Sequence, residues 1–256
     1  MRVLMTGGYG CIGSWVAKQL VDGGQEVWIF DLKEDTHRLD LLLTSAERDR
    51  VHFLPGDVSD PALLKMSVDI AEDAFGRLTT VLLNAGITAG QSGVENLDIA
   101  GYRRIMAVNV DHVVFGLTAA VPALRRAGGG HIVVTASLAG LVPMPGDALY
   151  TLTKHAVVGY VRAAAPTLGA EGIRVNAVCP GFADTPLLAA ARDRFGDFPL
   201  LSAEDVADAV EAVLERGEPG ECWFCQPGRE PAPYGFRGVP GPAGGVAPPP
   251  VDWADH

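Results

Sequence analysis

The sequence predicts an α/β fold in which seven parallel strands form a doubly wound sheet flanked by helices. Short apolar runs rich in Val, Ile and Leu alternate with longer helical patterns from residue 2 to about residue 216. This alternation is typical of parallel sheets whose strands are joined by helical crossovers. The predicted strands are RVLM, EVWIF, VHFLP, TVLLN, HIVVTA, RVNAVC and, after the last helix, ECWFCQ.

The helical segments begin with capping signals. SDPALL at 59–64 offers Ser and Asp caps with an early Pro, and SAEDV at 202–206 places acidic residues in the first turn. The predicted helices span 11–22, 60–75, 98–127, 149–169 and 202–216.

The composition changes after residue 226, where Pro and Gly become the dominant residues. We therefore expect one domain over 1–226 and a tail over 227–256 that holds no continuous helix or strand. The tail is either disordered or pinned to this or a neighbouring subunit through its aromatic residues, which are Tyr234, Phe236 and Trp253.

The charge and the hydropathy pattern exclude several classes of partner. The 256-residue chain has a formal net charge of −11, so neither a nucleic acid nor an anionic membrane is expected to bind it. The N-terminus, MRVLMTGG, lacks the long apolar stretch of a signal peptide, and no run of 18 apolar residues indicates a membrane span. We expect a cytoplasmic protein without a membrane segment.

Cys222 and Cys225 form a CxxC pair, CWFC, in the seventh predicted strand. No second Cys or His pair lies at a spacing suited to zinc, so no metal site is predicted. Residues three apart on a strand point to opposite faces, which opposes both a shared metal and a disulfide. The expected role of both cysteines is that of small buried hydrophobic residues.

The stretch TGGYGCIG at 6–13 indicates a phosphate-binding turn, because it follows an apolar strand and opens a helix. Asp31 ends the second strand, 24 residues after Gly7. An acid at that place can accept hydrogen bonds from both adenosine ribose hydroxyls and repels the 2′-phosphate of NADP. The pattern favours NAD as the cofactor.

A second candidate group consists of Tyr150, Lys154 and Ser137. Tyr150 and Lys154, in YTLTK, lie four residues apart and share one helix face. We expect the ammonium to lower the pKa of the phenol toward the range of a general acid/base. Ser137 ends the strand that contains VVTAS, where a hydroxyl can donate to a carbonyl or alkoxide oxygen.

Over 1–226 the chain resembles the short-chain dehydrogenase/reductase family, whose fold is a single Rossmann-type domain that binds NAD(P). The resemblance depends on an ordered series of motifs rather than on any one of them. In chain order these are the glycine turn at 6–13, GDV at 56–58, NAG at 84–86, VNV at 108–110, Ser137, YTLTK at 150–154 and PGFADTP at 180–186.

The resemblance implies roles for four catalytic residues. Tyr150 is the expected acid/base, Lys154 lowers its pKa and holds the nicotinamide ribose, and Ser137 orients the substrate oxygen. Asn109 is expected to anchor a water that connects Lys154 to bulk solvent.

The resemblance also implies a cofactor-binding set. Asp57 and Val58 are expected beside the adenine, 84–86 on the ribose side and 180–185 at the nicotinamide end. The full set is Gly7, Tyr9, Gly10, Cys11, Ile12, Asp31, Leu32, Asp57, Val58, Asn84, Ala85, Gly86, Tyr150, Lys154, Pro180, Gly181, Ala183 and Thr185.

The glycine turn departs from the single-domain branch of the family, whose T-G-x-x-x-G-x-G spacing requires glycine where this chain has Cys11. Gly7, Gly10 and Gly13 instead follow T-G-x-x-G-x-x-G, as in the extended branch of epimerases and dehydratases. We expect Cys11 to be a packing residue under the turn rather than a reactive thiol. NADP remains an alternative to NAD, because Lys33 lies just beyond the second strand, as does Arg38.

These observations predict an NAD-dependent oxidoreductase that interconverts a secondary alcohol and its ketone. By resemblance, the substrate lining is 138–149 and 187–200, which are largely apolar and favour a small or flat apolar substrate. Two alternatives stay open: a sugar-nucleotide epimerase or dehydratase, and a catalytically silent NAD(H)-binding sensor. By analogy with the family, we expect a homodimer or homotetramer formed through the helices at 98–127 and 149–169.

Overall fold

A computed structural model describes residues 1–88, 94–242 and 245. Its strands are β1 (Arg2–Thr6), β2 (Glu26–Asp31), β3 (Val51–Pro55), β4 (Thr80–Leu83), β5 (Gly130–Thr135), β6 (Ile173–Pro180), β7 (Cys222–Cys225) and β8 (Ala232–Pro233). They form one sheet in the order β3-β2-β1-β4-β5-β6-β7-β8. The first seven strands pair in parallel, so the predicted doubly wound fold is confirmed.

The eighth strand corrects the prediction of seven. β8 lies in the Pro/Gly-rich tail and pairs antiparallel with β7, opposing Pro233 to Trp223. The main-chain N–H of Tyr234 adds a 2.8 Å hydrogen bond to the Cys222 oxygen. A proline is tolerated on an edge strand, where its missing N–H leaves no partner unsatisfied. The composition of the tail argues only against long elements, and this strand has two residues.

The structure has helices at the five predicted segments and two short ones, within 37–48, that were not predicted. They are α1 (Cys11–Asp22), α2 (His37–Leu42), α3 (Ser45–Arg48), α4 (Pro61–Phe75), α5 (Ile99–Met106), α6 (His112–Arg126), α7 (Ala148–Ala170) and α8 (Ala203–Arg216). The predicted helix 98–127 is continuous but changes pitch at a π-helical turn, Ala107–Asp111, between α5 and α6. Such turns often occur at functional sites.

The predicted capping signals form real caps. The Asp60 carboxylate accepts hydrogen bonds from the N–H groups of Ala62 and Leu63 at the start of α4. Ser202 and Asp205 form a reciprocal capping box at the start of α8.

Both faces of the sheet are buried. Along β5, Ile132 and Val134 belong to the core cluster that packs under α4, α6 and α7, whereas Val133 belongs to the cluster under α1 and α8. The same alternation separates Cys222 from Cys225 on β7, and both thiols are buried. The expectation that these cysteines act as small packing residues is confirmed.

Among the described residues, one helical segment, Ile99–Arg126, is long and apolar enough to cross a membrane, with a mean hydropathy of 1.5. Core helices of folded proteins pass the same test. Val113, Leu117 and Leu124 from this segment are buried in the core cluster under α4, α6 and α7. We therefore assign it as a core helix of the domain.

Candidate active site

The glycine turn joins β1 to α1, and its glycines are required by close approaches. Gly7 has φ +66°, and a Cβ atom there would lie 2.9 Å from the Ala85 Cα. A Cβ on Gly13 would lie 2.4 Å from the Gly7 oxygen. The turn therefore needs glycine at both ends of the T-G-x-x-G-x-x-G spacing and leaves position 11 free for a side chain.

Cys11 occupies that free position as the first residue of α1, directly after the N-cap Gly10. Its side chain is half-buried, and its packing under the turn stays a prediction. The first turn of α1 contains no acidic residue. Its free N–H groups and the helix dipole are suited to a pyrophosphate.

Asp31 lies beside this turn at the end of β2. Its carboxylate accepts hydrogen bonds from the N–H groups of Tyr9 (3.2 Å) and Leu32 (2.8 Å). Burial raises the pKa of Asp31, and the nearby Asp35 adds to that rise, whereas the two hydrogen bonds oppose it. The acid predicted to contact the ribose therefore also tethers the glycine turn.

The surroundings of Asp31 are acidic rather than basic. The Tyr9 hydroxyl lies 3.5 Å from Glu34, and Arg48 is paired with Glu34 at 3.3 Å and with Asp40 at 3.6 Å. A guanidinium already held by two carboxylates is a poor partner for an added phosphate.

The loop after β4 contains the predicted residues Asn84, Ala85 and Gly86. The Thr6 hydroxyl oxygen accepts hydrogen bonds from the N–H groups of Asn84 (3.0 Å) and Ala85 (3.3 Å). The Asn84 side chain donates to the Gly7 oxygen at 3.1 Å and accepts from the Thr135 hydroxyl at 2.9 Å. This loop is thus fixed between the glycine turn and β5.

Asn109 lies in the π-helical turn and is buried. Its amide accepts from the N–H of Ile87 at 2.9 Å and donates to the Ile87 oxygen at 2.8 Å and the Thr153 hydroxyl at 3.1 Å. A Cβ on Gly86 would lie 3.5 Å from both the Asn109 Oδ1 and the Lys154 Nζ. The structure therefore brings Asn109 and Lys154 to the same small space.

Lys154 is a buried cation, with 4% of its surface exposed. Its Nζ donates a 2.8 Å hydrogen bond to the Thr135 oxygen and lies 5.5 Å from the centroid of the Tyr150 ring. Burial lowers the pKa of Lys154 to about 8. The helical i, i+4 spacing thus places the two side chains together, as expected.

The expectation that the pKa of Tyr150 is lowered is wrong for the protein without its cofactor. Burial raises the pKa of Tyr150 to about 12, Asp147 adds to the rise, and a hydrogen bond with Ser137 opposes it. Desolvation outweighs the attraction of the ammonium, whose own pKa is lowered by the same burial. Ser137 and Tyr150 are nevertheless in contact, as a shared substrate site requires.

Asp147 is a site residue that the sequence reasoning missed. Its buried carboxylate caps α7 by accepting from the N–H of Tyr150 at 2.9 Å, and it accepts from the Thr88 hydroxyl at 2.7 Å. It therefore connects the loop after β4 to the helix that carries Tyr150. An Asp directly before an apolar helical run was the available signal.

The predicted adenine residues lie after β3. The Asp57 carboxylate accepts from the N–H and the hydroxyl of Ser59, at 2.9 and 2.7 Å, and Val58 is buried. The predicted nicotinamide residues lie at the end of β6 and after it, and four strands separate β3 from β6 in the sheet order. The two groups are thus spread along the carboxyl edge, as an extended dinucleotide requires.

At the nicotinamide end, the N–H of Gly181, next to Pro180, donates to the Cys225 oxygen at 2.9 Å. A Cβ on Gly181 would lie 2.7 Å from the Gln226 side chain. Ala183 pairs with Leu201 in an isolated β-bridge, which joins the two ends of the segment between them. Thr185 is the N-cap of the 3₁₀ helix in that segment, Pro186–Phe195.

The segment 182–201 places three phenylalanine rings in contact. The centroid of Phe182 lies 4.8 Å from that of Phe195 and 6.1 Å from that of Phe198. An ion pair between Arg192 and Asp184, at 2.8 Å, spans the same segment. The predicted substrate lining 187–200 thus supplies two of the three rings, Phe195 and Phe198, and the third ring comes from Phe182, just before it.

A family model described as short chain dehydrogenase matches residues 1–195. The chain belongs to this family. Cyclohexanol dehydrogenase of Acinetobacter sp. (strain SE19) is 35% identical over 186 residues, which are 73% of this chain and 74% of that protein. Other relatives of similar identity are also named as dehydrogenases of cyclic alcohols.

Solved structures of related proteins share the fold. ElxO with NADP bound has a TM-score of 0.79 and 27% identity, covering 88% of this chain and 97% of that one. The 3-ketoacyl-(acyl-carrier-protein) reductase from Brucella melitensis, in complex with NADH, has a TM-score of 0.77 and 27% identity, covering 87% and 95%. This short-chain dehydrogenase is therefore an alcohol dehydrogenase or ketoreductase that acts on a small secondary alcohol or ketone with a nicotinamide cofactor.

Proposed function

We propose that the protein uses NAD to interconvert a secondary alcohol and its ketone, with Tyr150 as the general acid/base. The observation that supports this assignment most is the contact of Tyr150 with Ser137 and Lys154 at the carboxyl edge of the sheet. Open parallel sheets bind their ligands at that edge.

The cofactor fits the residues present. The glycine turn and the first turn of α1 would hold the pyrophosphate, Asp31 the adenosine ribose, and Lys154 the nicotinamide ribose. When bound, the nicotinamide ring takes a hydride from the alcohol carbon or returns it to the ketone. The remaining chemistry, a proton transfer at the substrate oxygen, belongs to the protein.

Tyr150 performs that proton transfer in this proposal. A pKa of about 12 keeps it a phenol at neutral pH, which is the proton donor that ketone reduction needs. Alcohol oxidation needs the phenolate, which the neighbouring Lys154 ammonium stabilises. The Ser137 hydroxyl donates to the substrate oxygen and steadies its developing negative charge.

Asn109 is assigned to the path that returns protons from Lys154 to bulk water. Its side chain is fully engaged with Ile87 and Thr153. Its contribution is therefore to shape the main chain beside Lys154 so that a water can bind there.

NAD is proposed over NADP because Asp31 and Glu34 surround the ribose position and Arg48 is already paired. The 2′-phosphate of NADP would meet carboxylates there. The related structures contain either NADP or NADH and so support the nicotinamide group without choosing between the two.

A small apolar ring is the proposed substrate. The aromatic segment 182–201 offers ring surfaces, and several relatives are named for six-membered cyclic alcohols. The epimerase or dehydratase alternative is disfavoured, because β7 and β8 complete the same sheet, α8 packs on it, and no separate substrate domain is present among the described residues.

We also propose that the protein assembles as a homodimer or homotetramer and is located in the cytoplasm. Val114, Phe115 and Val121 on α6 are apolar yet only half-buried, which supports assembly through the long helices. The net charge of −11 supports the absence of a nucleic-acid partner.

The test is a panel of cyclic and linear secondary alcohols incubated with NAD while NADH absorbance is followed. We expect turnover of cyclohexanol-type alcohols with NAD and weaker turnover with NADP. Cofactor binding without turnover of any alcohol or ketone would instead favour the silent sensor.

A further inference from the structure

His112 is a fully buried histidine that the mechanism above does not use. It is the first residue of α6 and directly follows the π-helical turn that contains Asn109. None of its surface is exposed. A buried polar ring at this place needs partners for both nitrogens.

The partners of His112 determine its protonation. Nδ1 lies 3.2 Å from the Val108 oxygen, and Nε2 lies 3.0 Å from the Thr6 hydroxyl oxygen. A carbonyl oxygen only accepts, so Nδ1 carries the hydrogen. In the neutral ring Nε2 is then an acceptor, and the Thr6 hydroxyl donates to it.

The Thr6 hydroxyl is fully used in this arrangement. Its oxygen accepts from the N–H groups of Asn84 and Ala85, which leaves its own hydrogen for one acceptor. The Leu82 oxygen is the other acceptor in reach, at 3.5 Å, and is the longer contact. A second proton on His112 would point at an oxygen whose two lone pairs are already occupied.

These bonds close into a ring. Thr6 holds the loop after β4 at Asn84 and Ala85, and Asn109 holds the same loop at Ile87. His112 joins Thr6 to Val108, the residue next to Asn109. The loop and the π-helical turn are thus connected at both ends.

We propose that His112 is a positioning residue, whose neutral imidazole sets the distance between the loop at Asn84–Ala85 and the turn that contains Asn109. The inference rests on the proposed function, which places the cofactor against that loop and Lys154 beside that turn. Without His112, the Thr6 hydroxyl and the Val108 oxygen lose partners in a site closed to water.

His131 provides a control, because it is a second buried histidine; its Nε2 has a hydrogen-bond partner, whereas its Nδ1 has none among the described residues. Its Nε2 lies 2.8 Å from the Asn176 oxygen, and it stands at the start of β5, at the opposite edge of the sheet from the site. Removing it disturbs the core without touching the ring of bonds that contains His112.

The experiment compares His112→Leu, His112→Asn, His112→Gln and His131→Leu in the full chain. Gln places its amide about as far from the main chain as the histidine Nε2, whereas Asn is too short to reach Thr6. NADH affinity is measured by fluorescence titration, the melting temperature by circular dichroism, and kcat and KM with cyclohexanol and NAD.

We expect His112→Leu and His112→Asn to weaken NADH binding by about tenfold, the effect of one net buried hydrogen bond, and to lower kcat. His112→Gln should stay within about threefold of the wild type, and His131→Leu should lose melting temperature but keep its NADH affinity. Equal losses in the Asn and Gln variants, or unchanged binding in His112→Leu, would overturn the proposal.

Two further outcomes are decided by the same measurements. If His112→Leu does not fold, the NADH affinities of His112→Asn and His112→Gln test the proposal, which requires weaker binding by the Asn variant. If the wild type binds NADH but oxidises no alcohol, the proposed function is wrong. The NADH affinities of the variants then still test the positioning role of His112.

Discussion

The carboxylate of Asp31 accepts a 3.2 Å hydrogen bond from the main-chain N–H of Tyr9, so the acid at the end of β2 holds the glycine turn in place. One residue thus performs two tasks, since the same carboxylate faces the expected position of the adenosine ribose. In the proposed function, the second task disfavours a cofactor with a 2′-phosphate.

We predict that the wild type binds NAD at least about tenfold more tightly than NADP, a difference of about 1.4 kcal/mol. Asp31→Ala should lose most of this preference and some affinity for both cofactors, because the turn also loses its tether. Titration of each cofactor checks this, with Asp73→Ala, an exposed acid near the C-terminal end of α4, as the control. Tighter binding of NADP by the wild type would refute the assignment.

Acid should destabilise the protein through its two buried histidines. Burial lowers the pKa of both His112 and His131 from 6.5 to about 4. Between these values the unfolded chain binds more protons than the folded one, so the stabilisation is complete above pH 6.5 and is lost as the pH falls toward 4. At pH 5 the loss is roughly 2 kcal/mol for each histidine.

Urea unfolding at pH 7.5, 6.0 and 5.0 measures this effect. His131→Gln should reduce the pH dependence by about half, because it removes one of the two histidines whose pKa is lowered by burial. A free energy of unfolding that stays constant between pH 7.5 and 5.0 would contradict the prediction.

The C-terminal segment should protect the edge of the sheet. β8 covers β7, and the Arg162 guanidinium lies 3.6 Å from the centroid of the Phe236 ring. A chain ending at residue 228 lacks both contacts and exposes an unpaired strand edge, which favours self-association. A chain ending at residue 238 keeps both and serves as the control.

Thermal melting and light scattering distinguish the two truncated chains. We expect the shorter one to melt several degrees lower, as a loss of about 1 kcal/mol implies, and to form larger species. Identical melting temperatures and masses for the two chains would show that β8 neither stabilises the protein nor prevents self-association through the edge of β7.

Strand and helix positions could be read from the sequence because each depends on local patterns. Asp60 and Ser202 cap their helices as their sequence neighbours predict, and the i, i+4 spacing brings Lys154 to Tyr150.

The features that could not be predicted depend on tertiary burial. The pKa of Tyr150 is raised because the folded chain removes water from it, which spacing on a helix does not reveal. His112 acquires its partners from β1 and from a π-helical turn, and a helical period of 3.6 does not indicate such a turn. Asp147 joins two segments 59 residues apart.

The most direct test of the central claim is NAD-dependent oxidation of cyclohexanol by the wild type, Tyr150→Phe and Tyr160→Phe. Tyr160 lies on the same helix, outside the site, and controls for the loss of a hydroxyl. We predict that Tyr150→Phe lowers kcat by at least about a hundredfold while NADH binding stays within a few-fold, and that Tyr160→Phe retains activity. Wild-type turnover in Tyr150→Phe would contradict the proposed mechanism.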